Sequence, residues 1–216
     1  MEKLATPNGE VSLAVDEAGA PRAALVLGHG AGSGMESPFM AEFASGLAQR
    51  GVTTYRFNFL YTEQGRKAPD RQPILEATFA AVAEAVAERE PRPVFLGGKS
   101  LGGRIASHVV ASGGNAAGLA FLGYPLHPPG RPDRIRDAHL IEISVPMLFV
   151  EGTRDPFCPL DTLEKVRGRL KARSEVAVIE DGDHSLKVRK SSGRDSGAAW
   201  AEAMDAVAAW IVRESG

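Results

Sequence analysis

A serine at position 100 stands in a setting that could turn its hydroxyl group into a nucleophile. Ser100 is the centre of the pattern Gly98-x-Ser100-x-Gly102, which follows the apolar run 94–96 and precedes the helix-like stretch 101–111. A serine becomes reactive toward acyl groups only when the backbone lifts its oxygen out of the sheet toward a base. Flanking glycines let the strand and the helix pack closely around such a turn. The spacing therefore predicts a nucleophile elbow.

A candidate acid and a candidate base follow this serine in the chain. Asp155 and His184 each lie just beyond an apolar run that is typical of a strand. His184 can take the Ser100 proton through one ring nitrogen while Asp155 accepts a hydrogen bond from the other, which orients the ring and stabilises the imidazolium. The three residues predict a catalytic triad, with Asp183 as the next candidate for the acid.

Acyl transfer also needs two hydrogen-bond donors for the oxyanion of the tetrahedral intermediate. The backbone N–H of Leu101, at the start of the helix after the elbow, is the first candidate. The turn 29–31 follows another apolar run and supplies the second, which we assign to Ala31. His29 in the same turn is expected to hold the loop by hydrogen bonds rather than to act as a base.

The other titratable residues are weaker candidates for a catalytic role. His108, His127 and His139 are expected to be structural or solvated, and Cys158 a spectator thiol without an elbow around it. No histidine or cysteine spacing suggests a metal site, and no cofactor is expected.

Strand-like and helix-like segments alternate along the chain, which predicts a mostly parallel sheet covered by helices on both faces. The predicted strands are 11–15, an edge strand, and 23–27, 52–57, 93–97, 119–122, 146–150 and 176–179. The predicted helices begin at Ser37-Pro38, Pro73, Leu101 and the capping box Asp161-x-x-Glu164, and the last carries Trp200, Met204, Val207 and Ile211 on one face. Ligands bind at the carboxyl ends of the strands in such a sheet, where all the candidate residues fall.

Two segments, 58–71 and 123–138, have turn residues and no apolar period, which predicts long loops. Together with the turn 35–39, they are expected to shape the substrate pocket. The segment 123–145 is also too short and too polar to form an apolar cap. We therefore expect an open site that prefers short acyl groups and is not activated at a lipid–water interface.

Composition and charge limit the classes of molecule that this chain is expected to bind. The chain has 216 residues, 44% of them hydrophobic, and a net charge of −2 without blocks of like charge. This predicts one domain over residues 1–216 that acts on a small molecule and binds neither nucleic acid nor a membrane, with no protein partner indicated. A single cysteine and an N-terminus without an apolar leader predict a cytoplasmic protein.

Taken as a set, the motifs of this chain resemble the α/β-hydrolase superfamily and, more closely, its small dienelactone-hydrolase-like branch. They are similar to those of bacterial relatives of the testis-expressed and NSL-complex-subunit hydrolase domains. The motifs are Gly28-His29-Gly30-Ala31-Gly32, Arg56-Phe57-Asn58-Phe59, Gly98-Lys99-Ser100-Leu101-Gly102-Gly103, Gly123-Tyr124-Pro125-Leu126-His127-Pro128, Gly152-Thr153-Arg154-Asp155-Pro156-Phe157 and Gly182-Asp183-His184-Ser185.

The resemblance implies a three-layer α/β-hydrolase fold without a cap domain, with Ser100, Asp155 and His184 as the triad. Dienelactone hydrolases use a cysteine where this chain has Ser100, so their lactone substrate is not carried over. The expected activity is hydrolysis of an ester, thioester or similar acyl bond through an acyl-enzyme. The alternatives are perhydrolysis on the same triad and a non-catalytic interaction module, because a subunit of a chromatin complex is among the eukaryotic relatives.

Overall fold

The computed structural model describes residues 1–216. Its strands are β1 (Glu2–Thr6), β2 (Gly9–Asp16), β3 (Ala23–Gly28), β4 (Val52–Phe57), β5 (Val94–Lys99), β6 (Leu119–Leu122), β7 (Met147–Gly152) and β8 (Ser174–Ile179). Its helices are α1 (Pro38–Ala48), α2 (Leu60–Glu63), α3 (Gln72–Arg89), α4 (Leu101–Ala111), α5 (Leu160–Arg167) and α6 (Ser196–Glu214).

All strands belong to one eight-stranded sheet with the order β1-β2-β4-β3-β5-β6-β7-β8. The strands from β4 to β8 in this order pair in parallel, and β1 and β2 form an antiparallel extension. The central strands β3, β4, β6 and β7 are buried at every position, as expected for a sheet covered on both faces. The predicted fold class is confirmed.

Two apolar clusters fill the spaces between the sheet and the helices on its two faces. One joins α3, α4 and α5 to the sheet and includes Phe79 and Ile105. The other joins α1 and α6 to the opposite face and includes Phe43 and Trp210. Trp200, Met204, Val207 and Ile211 lie in this second cluster, as their helical spacing predicted. The sheet is therefore a rigid platform for the loops at its carboxyl edge.

Three local predictions were wrong. The strand 11–15 is not at the edge, because the unpredicted β1 pairs with β2 on its outer side. The segment 58–71 contains the short helix α2. Asp161 does not cap α5, because Pro159 stands at the cap position without a side-chain hydrogen bond. Alternating or capping patterns this short do not determine pairing or helix ends.

Candidate active site

The backbone at Ser100 has an unusual conformation. Ser100 stands between β5 and α4 with φ 50° and ψ −108°, a region that a residue with a Cβ occupies only at a cost of about 1–3 kcal/mol. Its N–H donates to the carbonyl oxygen of Leu122 on β6. A Cβ at Gly102 would lie 2.1 Å from the carbonyl oxygen of Gly28, and one at Gly98 would lie 2.3 Å from the same atom. These contacts explain why the elbow requires both glycines.

Three side chains from distant parts of the chain form one line of hydrogen bonds at the carboxyl ends of the strands. Nε2 of His184 lies 2.9 Å from Oγ of Ser100, and Nδ1 lies 2.7 Å from Oδ2 of Asp155. The Asp155 side chain is fully buried, whereas that of His184 is 23% exposed. The structure thus brings together the three residues that the sequence predicted as a triad.

The second oxygen of Asp155 is also used. Oδ1 accepts a hydrogen bond of 2.8 Å from the N–H of Phe157, which holds the carboxylate in position below the histidine ring. Asp183, the other candidate for the acid, does not contact that ring. Its carboxylate instead accepts from the N–H groups of Ser185 and Lys187 and supports the turn.

Two backbone N–H groups beside Ser100 have no acceptor within the protein. They belong to Leu101, the first residue of α4, and to Ala31, in the turn after β3, and neither donates to a backbone or side-chain atom. Ala31 lines both clefts around Ser100, and Leu101 lines one of them. Free amides at this point can donate to an oxyanion.

His29 supports the turn that carries Ala31. Its Nε2 accepts from the N–H of Phe59 at 3.1 Å, so its Nδ1 carries the proton and donates to the carbonyl oxygen of Gly30 at 2.9 Å. Burial lowers the pKa of His29 to about 4. A neutral imidazole that forms hydrogen bonds through both ring nitrogens agrees with the structural role predicted for this residue.

Ser100 and His184 lie between two clefts. The larger, of about 410 Å³, extends toward Phe39 and Trp200, and the smaller, of about 170 Å³, extends toward Phe157. The turn 35–39 and the segment 123–138 contribute to the walls, as expected. The prediction that 58–71 shapes the pocket was wrong. That segment lies behind the turn 29–31, where the Phe59 N–H and the Thr62 hydroxyl contact His29.

Sequence reasoning missed two buried charged residues next to the triad. Lys99, only 8% exposed, donates from Nζ to the carbonyl oxygen of His184, and burial lowers its pKa to about 8. Glu151, on β7, is fully buried, and its Oε1 accepts from the N–H of Tyr124 at 2.6 Å. Burial, together with the charge of Asp155, raises the pKa of Glu151 well above its usual range. The sequence signal that could have identified these residues is a charged side chain within an otherwise apolar strand.

The remaining candidates lie outside the hydrogen-bonded line. His108 stacks on His139 at 3.6 Å, and burial lowers the pKa of His139 to about 3. His127 contacts the carbonyl oxygens of Pro128 and Pro156. Cys158 is fully buried, which raises the pKa of its thiol. His127 and Cys158 are buried, whereas His108 and His139 are partly exposed, and none of the four forms a hydrogen bond with the triad.

Comparison with known proteins gives one family match. The model of the family described as "Alpha/beta hydrolase domain" matches residues 21–212. This range runs from just before β3 into the last helix and contains every residue of the site described above. None of the helices is long and apolar enough to span a bilayer.

Solved structures with the same fold include several hydrolases. An α/β serine hydrolase without a lid from Xanthomonas campestris shares 19% identity over 97% of this chain and 93% of its own, with a TM-score of 0.75. A dienelactone hydrolase from Anabaena variabilis shares 18% identity over 98% and 94%, with a TM-score of 0.71. The ferulic-acid-bound protein Est1E from Butyrivibrio proteoclasticus shares 14% over 99% of both chains, with a TM-score of 0.77. These likenesses establish a lidless α/β-hydrolase fold.

Proposed function

The chain belongs to the alpha/beta hydrolase domain family, and we propose that it is a serine hydrolase that cleaves an ester, thioester or similar acyl bond of a small molecule. The observation that carries the proposal is the unbroken line of hydrogen bonds from Ser100 through His184 to Asp155. Esterases and serine hydrolases among the structures with this fold support it further.

Acylation begins at the Ser100 hydroxyl. Its oxygen attacks the acyl carbon while Nε2 of His184 takes the hydroxyl proton, and Asp155 stabilises the imidazolium through Nδ1–H. The carbonyl oxygen becomes an oxyanion that accepts hydrogen bonds from the free N–H groups of Leu101 and Ala31. When the intermediate collapses, the bond to the leaving group breaks, His184 returns the proton to that group, and the acyl-enzyme remains on Ser100.

Deacylation repeats these steps with water. Nε2 of His184 takes a proton from the attacking water, the oxyanion forms again, and collapse releases the carboxylic acid while the proton returns to the Ser100 oxygen. The lysine and the carboxyl group beneath the site do not exchange protons with the substrate in this scheme. Lys99 acts through the backbone of His184, and Glu151 through the backbone of Tyr124.

The alternative of a non-catalytic interaction module is less well supported. A module of that kind has no need of a Ser100–His184 contact of 2.9 Å or of two free amides at a cleft. Perhydrolysis differs only in the acyl acceptor and shares every residue of the scheme. A cytoplasmic location, a single domain and the resemblance to the NSL-complex-subunit branch stay predictions.

Labelling with a fluorophosphonate tests the proposal. The wild-type protein should be labelled once, at Ser100, and Ser100→Ala should lose both labelling and esterase turnover. Ser112→Ala is the matched control, because Ser112 is exposed at the end of the same helix and its hydroxyl forms no hydrogen bond. An unlabelled wild-type protein that hydrolyses no activated ester would refute the proposed function.

A further inference from the structure

Two arginines without a carboxylate partner line the smaller cleft beside Ser100. Arg104 lies on α4 and Arg136 in the segment 123–138. Most arginines of this chain form salt bridges, and these two form none. Arg104 contacts only Gln72 Oε1 at 3.2 Å and His108 Nε2 at 3.3 Å, and the side chain of Arg136 has no hydrogen-bond partner.

The two guanidinium groups repel each other. Burial lowers the pKa of Arg104, and the charge of Arg136 lowers it further. The acid next to Arg136 in the chain, Asp137, is bonded to Arg169. Glu76 lies 3.7 Å from Nδ1 of His108, and its charge offsets only part of the lowering of the Arg104 pKa. The two side chains line the same cleft, and Arg136 is exposed, so an anion that binds between them would be attracted by both charges.

The walls of both clefts carry one sign of charge. Lys99 and Lys187 line the larger cleft, Arg104 and Arg136 line the smaller, and no aspartate or glutamate lines either one. The chain as a whole has a net charge of −2, so the positive walls are a local property of the site. Such a cleft concentrates anionic ligands at its nucleophile.

We propose that Arg104 and Arg136 bind a carboxylate group of the substrate, so that the esters cleaved at Ser100 are anionic. This inference rests on the proposed function, because it places the carboxylate on the molecule that acylates Ser100. A planar guanidinium matches a carboxylate in geometry as well as in charge. Arg104 follows Ser100 by one helical turn, about 6 Å along the axis, and the cleft holds only about 170 Å³. The carboxylate must therefore stand a few atoms from the scissile carbonyl.

Two matched pairs of esters test the subsite. In the first pair the charge is on the acyl group: p-nitrophenyl hemisuccinate against p-nitrophenyl isocaproate. In the second it is on the leaving group: p-carboxyphenyl acetate against p-isopropylphenyl acetate. The measured quantity is the ratio of kcat/KM for the anionic ester to that for the neutral one. Because the ratio is compared between variants, differences in intrinsic reactivity cancel.

The test variant is the double substitution Arg104→Gln with Arg136→Gln. The control is Arg131→Gln with Arg134→Gln, which removes the same charge from exposed arginines that line neither cleft. In at least one ester pair, the ratio should fall by about 10- to 100-fold in the test variant and keep its wild-type value in the control. Circular dichroism and thermal unfolding establish that both variants are folded.

The outcomes separate this inference from the proposed function. An unchanged ratio in the folded test variant for both pairs overturns the arginine subsite, while hydrolysis of the neutral esters still supports a serine hydrolase. An equal fall in the control also overturns it, because the effect is then one of net charge. If the wild type hydrolyses none of the esters and is not labelled at Ser100, both proposals fail.

Discussion

The ammonium group of Lys99 donates a hydrogen bond of 2.5 Å to the backbone carbonyl oxygen of His184. A residue inside the elbow motif is thus joined to the loop that carries the candidate base. Burial is the main reason that the pKa of Lys99 is lowered to about 8, although the charges of Asp155, Glu151 and Asp183 act in the opposite direction. The lowered pKa of this buried lysine has a consequence for protein stability that can be measured.

Lys99 should make the protein more stable as the pH rises. Between the folded pKa of about 8 and the unfolded value of about 10.4, the unfolded chain binds the additional proton, so the free energy of unfolding increases with pH in this window. Relative to Lys99→Met, the wild type should gain up to about 3 kcal/mol. Urea unfolding from about pH 7 to pH 10 measures it, with the exposed Lys187→Met as control. If the free energy of unfolding changes with pH in the same way for wild type and Lys99→Met, the pKa of Lys99 is not lowered in the folded protein.

Glu151 should have the opposite pH dependence. Its pKa is raised in the folded protein, so the wild type loses stability as the pH rises above the unfolded value of about 4.3. Glu151→Gln keeps an acceptor for the Tyr124 N–H but cannot ionise. Its stability relative to the wild type should therefore increase from pH 4 to about pH 7. If urea unfolding shows that this difference is constant across the pH range, the pKa of the Glu151 carboxyl group is not raised in the folded protein.

The strained backbone at Ser100 predicts a stabilising substitution. With φ at 50°, a glycine fits this position better than any residue with a Cβ. Ser100→Gly should be more stable than Ser100→Ala by about 1 kcal/mol, after allowing for the greater entropy of glycine in the unfolded chain. Both variants remove the hydroxyl, so thermal unfolding compares the backbone strain of alanine with the unfolded-state entropy of glycine. A less stable Ser100→Gly would mean that the elbow is relaxed.

Asp155→Asn tests the orienting carboxylate. The amide can still accept from the Phe157 N–H, so we expect the fold to be retained, but it favours the wrong tautomer of His184. The loss in kcat should be roughly 10⁴-fold, as for the corresponding change in serine proteases. Asp183→Asn, in the adjacent turn, is the comparison. If Asp183→Asn lost far more activity than Asp155→Asn, the acid would have been misassigned.

Substrate length is a further prediction. The absence of a lid and the modest size of the two clefts, about 410 and 170 Å³, favour short acyl groups. Among p-nitrophenyl esters from acetate to palmitate, kcat/KM should be highest for the short chains, with no rise in rate above the concentration at which micelles form. A preference for palmitate, or a jump at that concentration, would exclude an open site.

The elbow could be predicted from sequence because its signals are local. Gly98, Ser100 and Gly102 lie within five positions of one another, and the apolar strands before Asp155 and His184 place both residues at the carboxyl ends of the strands. The alternation of strands and helices predicted a mostly parallel sheet covered on both faces, so the fold class was predicted correctly, whereas the order of the strands was not predicted. Only β1 and the short α2 lacked a periodic signal strong enough to identify them.

The clefts could not be predicted because they depend on contacts between distant residues. Lys99 is a spacer residue in the motif pattern, and its bond to His184 joins residues 85 positions apart. Arg104 and Arg136 are ordinary surface residue types in sequence, and only the path of the segment 123–138 places them in one cleft. Long-range placement of this kind leaves no periodic trace in the chain.

The candidate base follows β8, and β8 is an edge strand whose only neighbour in the sheet is β7. Most of β8 is only partly buried, and Val178 is 42% exposed. Edge elements with few buried contacts open at a lower free energy than the core, without global unfolding. Fraying of β8 would withdraw His184 while Ser100 stayed in its strained turn on a central strand. We therefore expect local opening of β8 to remove catalytic competence before global unfolding, so mild denaturant should abolish turnover before it exposes the amides of β3 and β5 to hydrogen exchange.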